Sequence, residues 1–236
     1  MSSDPTGAAL VRAVARRQEE IAERLAEADG DLLSQDSRLP GWDRLTIACH
    51  LRYGADASRR MTTDTLAGNE TSFYPQGRDR QRPSTLCPSN DESTSDVIAA
   101  LNQESQDLVE TWHGVDERQR KTKIQEPADN PDLGSINLWT LALLRLTEVE
   151  VHGHDLDLGL SRWSETFVST ALPMRLRWLP TRRSNRRGTE RLVDGTWAIA
   201  RPDGSGRRSA SDGSIIEPEA RHRRPDSGHV IAFPNA

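Results

Sequence analysis

The chain has 236 residues, enough for one substantial core and a small appendage at the usual ~100–200 residues per domain. At 34% hydrophobic, 28% charged and a net charge of -5, it lacks the positive excess of a nucleic-acid binder. No apolar run approaches the roughly 18–20 residues that span a bilayer, and no basic-then-apolar leader opens the sequence, so a cytoplasmic protein is expected. Cys49 and Cys87 are too few for a disulfide framework and fit a reducing compartment, with Cys49 expected as a small buried hydrophobe.

In chain order, Leu10, Val14, Ile21 and Leu25 recur at multiples of three to four residues, which predicts an amphipathic helix over residues 8–28. The stretch Leu39-Pro40-Gly41-Trp42-Asp43 breaks that pattern, and Asp43 is suited to cap a second helix running to about residue 66. Its inward stripe reads Thr46, Cys49/His50, Tyr53, Ala57 and Met61, so His50 falls among core-facing positions and Trp42 and Tyr53 read as core. Residues 68–93 are rich in Pro, Gly, Ser, Asn, Asp and Arg without periodicity and read as a long surface loop.

A third helix follows a cap at Ser93 or Thr94 and carries Val97, Leu101, Leu108, Trp112 and Val115 on one face. A polar connection over residues 117–134 leads to the most apolar helix, capped by Ser135 and expected in the middle of the fold. A fifth helix begins at Ser164, with Pro173 as its kink. Beyond Pro180 the chain turns arginine- and glycine-rich; a strand around Trp197 and Ile199, a turn at Asp203-Gly204 and a short strand over 229–233 make a small mixed, partly loose tail.

The chemistry gathers in the fourth helix. Glu148 and His152 are four residues apart and project to one side. With His50 from the second helix they form a two-imidazole, one-carboxylate set that suits zinc and leaves a fourth position open; iron, nickel and manganese fit the same donors. These polar groups interrupt an apolar helix, where burial without partners costs several kcal/mol. Arg145 shares their stripe and can pair with Glu148 or hold an anion; Asp155 can orient a ligand imidazole or cap the helix end; Glu150 and His154 point away from the ion, toward supporting or surface roles.

Three segments, Leu39-Pro40-Gly41-Trp42 through His50-Leu51, then Tyr74-Pro75-Gln76-Gly77-Arg78-Asp79-Arg80, then Leu144 through Glu148 and His152 to Asp155, make residues 5 to 180 resemble the mycothiol-dependent maleylpyruvate isomerase family of the DinB-like metal-binding superfamily. The resemblance implies a mainly α fold: a DinB-like four-helix bundle with an extra helix over 5–182 and a small mixed α/β or partly disordered appendage over 183–236. It assigns His50, Glu148 and His152 as metal ligands and mycothiol as cofactor, with Arg80 first and Arg78 second as cofactor-binding cations. Arg80 and Arg145 are then the candidate catalytic cations.

The residues 217–236 lack an apolar helical stripe, so the family's compact carboxy-terminal domain is not matched there. The function so implied is activation of the thiol as a metal-bound thiolate for transfer to, or exchange on, a small electrophile. Maleylpyruvate cis-trans isomerisation and a metal-binding module without catalysis are the alternatives. The expected partners are a small-molecule thiol and a small-molecule electrophile, with no nucleic acid and no membrane, in a monomer or homodimer.

Overall fold

The computed structural model describes residues 7–183, so the strands and turn expected in the tail lie outside the described residues, and the expected 182/183 boundary falls at their edge. The chain divides into two compact units, the first running to Pro173 and the second beginning at Met174. The first unit is built on four long helices: α1 (Gly7–Glu27), α3 (Arg44–Ala67), α5 (Thr94–His113) and α6 (Leu138–Asp155), with a short α2 (Gly30–Leu33) between the first two. Both α1 and α3 pack on α5 and on α6, so the four form a bundle with α1 diagonal to α3. The expectation of a mainly α bundle holds: among the described residues there are only two isolated bridges and no strand, and no helix is long and apolar enough to cross a membrane.

Local chemistry sets the helix ends. Asp43 caps α3 by accepting from Thr46 N at 2.6 Å, and Gly68, at φ 81, closes it in the left-handed conformation that costs glycine nothing. Ser93 and Asp96 make a reciprocal capping box at the start of α5. The expected cap of α6 moves from Ser135 to Asn137, whose side chain accepts from Thr140 N at 2.9 Å. Residues just ahead of it are drawn into a bridge between Lys123 and Asn137, which delays the helix by two residues.

Two connections are more ordered than their composition predicts. The stretch after α3 is not simply a surface loop: Thr71, Ser72, Phe73 and Tyr74 are buried, and α4 (Arg78–Gln81) leads into a 3-10 turn (Arg82–Thr85). Asn130 Nδ2 ties the later connection to this one by donating to the Tyr74 carbonyl at 2.8 Å. Near Ser164, which caps the next helix through Phe167 N, a π turn (Phe167–Ala171) precedes α7 (Leu172–Arg183). The expected Pro173 kink is therefore met by a wide turn just before the proline, which has no N–H to give to an α-helical bond.

The core includes the expected Leu10, Val14, Met61, Leu108, Leu141 and Leu146, and adds Ile47, while Thr46 and Tyr53 of the expected second-helix stripe are half-buried. Some polar groups inside it are paired: Trp112 Nε1 donates to Thr62 Oγ1 at 2.8 Å, and Gln18 donates to the Ser105 carbonyl at 3.0 Å. Glu150 is not a surface residue but is fully buried, 3.2 Å from Arg17 Nε of α1. Arg17 also donates to the Leu160 and Arg162 carbonyls, so this pair clamps the segment after α6 onto α1.

Candidate functional site

The facing sides of α3 and α6 bring His50 and Glu148 together. His50 Nε2 and Glu148 Oε1 lie 3.1 Å apart, both buried, yet neither atom makes a hydrogen bond. The distance suits a hydrogen bond, but the geometry of one is not met. Two ligands each about 2.1 Å from one tetrahedral ion would stand about 3.4 Å apart, close to this spacing.

The electrostatics favour the ligand forms of both. Burial pushes the His50 imidazole below its ordinary pKa, so it is neutral with a free lone pair. Burial pushes the Glu148 carboxyl up, but the Arg145 guanidinium beside it outweighs that and holds its pKa below the ordinary value, keeping the carboxylate ionised. Arg145 is itself buried and donates to Glu148 Oε2 at 2.6 Å and to Gln18 Oε1 at 3.2 Å, which fixes the carboxylate and commits most of the guanidinium.

His152, also buried, sits beside them with its ring centroid 5.0 Å from that of His50. Its Nδ1 pairs with Asp155 Oδ2 at 3.0 Å, so Asp155 orients this imidazole and leaves Nε2 for another partner. Trp42, half-buried, is stacked on His152 at 6.1 Å and meets His50 edge-on at 5.4 Å. Among the described residues no group of three His, Cys, Asp or Glu side chains is placed so that it could hold a metal ion.

The other expected residues separate. Arg78 lies 5.4 Å over the Tyr74 ring and 3.6 Å from Asp132, while Arg80 is exposed on α4 with no contact to His50, Glu148 or His152. Instead Arg82, one turn past Arg78, reaches inward, with its guanidinium 5.5 Å over Trp42. His154 faces away, toward Arg38 at 3.0 Å.

Sequence reasoning gave no role to Gly54, Tyr74 or Arg82. A Cβ at Gly54 would stand 2.7 Å from both Glu148 carboxylate oxygens and from Arg145 Nη1. The signal was present, because Gly54 lies one helical turn from His50 and so on the same face.

A family model for the mycothiol maleylpyruvate isomerase N-terminal domain matches residues 11–157, which takes in most of α1, all of α3, α5 and α6, and every residue of the site. The chain belongs to this family. Among solved structures it is similar to a crystal structure of the mycothiol-dependent maleylpyruvate isomerase, at 18% identity and a TM-score of 0.60 over 72% of this chain and 70% of that one. A crystal structure of a histidine-to-alanine mutant of that enzyme is similar at 17% identity, a TM-score of 0.60 and the same coverage. These likenesses bear on the fold alone. No curated protein matches the chain.

Proposed function

We propose that this protein is a mycothiol-dependent enzyme that delivers the thiol to a small electrophile, with a divalent metal, zinc first, held by His50, Glu148 and His152. The observation that carries the reading is the pair of buried acceptors, His50 Nε2 and Glu148 Oε1, 3.1 Å apart without a hydrogen bond. Leaving two buried polar atoms unpaired is costly, and a shared cation would remove that cost. Family membership supports mycothiol as the thiol.

A divalent cation there would lower the pKa of an incoming thiol from about 8.5, making thiolate available at neutral pH. The chain's own residues supply the rest. Arg145 keeps Glu148 ionised and immobile, Asp155 fixes the tautomer of His152, and Trp42 walls both imidazoles. The thiolate sulfur would bond to the electrophilic carbon, the electron pair moving to the acceptor group; in transfer that bond is retained after protonation or loss of a leaving group.

A second reading, cis-trans isomerisation of maleylpyruvate, is supported by the named activity of the similar solved enzyme. There the same sulfur–carbon bond would form, the former double bond would rotate, and the thiolate would leave again. Purified protein, mycothiol and panels of electrophiles, followed by mass spectrometry, test the proposal. A thiol adduct supports transfer and an isomerised product without adduct supports the second reading. Turnover unaffected by omitting the thiol would overturn both.

A further inference from the structure

Besides His50 Nδ1 itself, three buried donors next to the His50/Glu148 pair lack a hydrogen-bond partner: the Tyr74 hydroxyl, Arg82 Nε and Arg145 Nη2. The two unpaired acceptors suit a cation, but donors call for an acceptor of their own. Arg145 is held by Glu148 and Gln18, which leaves Tyr74 and Arg82 as the pair available to a ligand.

We propose that Tyr74 and Arg82 bind a carboxylate of the small electrophile, the phenol as a neutral donor and the guanidinium as the counter-charge. This rests on the proposed function above. Tyr74 is fully buried, and its ring is stacked on Tyr53 at 5.2 Å and 12°. Its backbone carbonyl is held by Asn130 and by Gly77 N, so the phenol is fixed in place. It lies within electrostatic reach of Glu148, Arg78 and Arg82, and burial raises its pKa, so the hydroxyl stays protonated as a donor.

Arg82 stands over Trp42, which touches both imidazoles, and it acts electrostatically on His50. No carboxylate pairs with its guanidinium among the described residues, whereas Arg78 has Asp132. One guanidinium and one hydroxyl match a single negative charge and the planar fork of a carboxylate better than a doubly charged phosphate. The hydroxyl is sealed from solvent, as are the His50 nitrogens.

Isothermal titration of the metal-loaded protein with maleate, without mycothiol, tests this, with metal content and far-UV circular dichroism measured for each variant. Tyr74→Phe and Arg82→Gln should each weaken maleate binding about tenfold or more, the loss expected for a hydrogen bond to a charged group, with metal retained. Arg118→Gln, at an exposed arginine outside the site, should bind as wild type. Wild-type affinity in both Tyr74→Phe and Arg82→Gln, no maleate binding by the wild type, or tighter binding of inorganic phosphate than of maleate would overturn the assignment. Loss of metal from the wild type itself would instead count against the functional reading, while the variants' relative maleate affinities would still decide this one.

Discussion

His50 Nε2 on α3 and Glu148 Oε1 on α6 face each other at 3.1 Å with no hydrogen bond between them. If they share an ion with His152, the purified protein should hold about one divalent metal per chain. His50→Ala, Glu148→Ala and His152→Ala should each fall well below this by elemental analysis. Asp155→Ala, which removes the acceptor from His152 Nδ1, should weaken metal affinity by about 10- to 100-fold rather than abolish it.

Gly54 leaves the space in which the Glu148 carboxylate sits, since a Cβ there would come within 2.7 Å of both its oxygens. Gly54→Ala should therefore cost about 1–3 kcal/mol of stability by overpacking and lower metal affinity by displacing Glu148. Chemical denaturation with metal titration checks it; a variant with unchanged metal affinity would mean that the carboxylate position is not critical.

Arg17 and Glu150 form a buried ion pair on the side of α6 away from the candidate ligands. Arg17→Ala would leave Glu150 charged and unpaired in the core, a loss of about 3–5 kcal/mol. The melting temperature should fall by about 10 °C for a unit of this size, with metal content intact below the transition. Calorimetry on metal-loaded protein separates this scaffold effect from damage to the site.

The two thiols should differ. Burial raises Cys49 to a pKa of about 11, so its thiolate is scarce at pH 8 and rises only toward pH 11, whereas Cys87 is exposed. Iodoacetamide at pH 8 should label Cys87 and spare Cys49 in the native protein, and label both in denaturant. Rapid native labelling of Cys49 would show that α3 opens near His50.

The bundle was legible because its stripes repeat at helical spacing: Leu10, Val14, Ile21 and Leu25 on α1 are all buried. The caps at Asp43 and Ser93 followed from side-chain chemistry alone. His50 and Glu148 could be paired because each interrupts an inward face. Arg82 was hidden because no periodicity in residues 68–93 reports the helical turns that carry Arg82 inward and leave Arg80 exposed. Tyr74 was hidden for a related reason: its burial depends on Tyr53 and Asn130, which are distant in sequence. Glu150 read as pointing away from the ion, which is correct, but its burial depends on Arg17 more than a hundred positions earlier.

The most direct measurement is the absorption of cobalt-substituted protein titrated with mycothiol. An intense sulfur-to-cobalt charge-transfer band should grow to one thiol per metal and be absent from His50→Ala, Glu148→Ala and His152→Ala. Saturating thiol binding that leaves the cobalt spectrum unchanged would contradict the account.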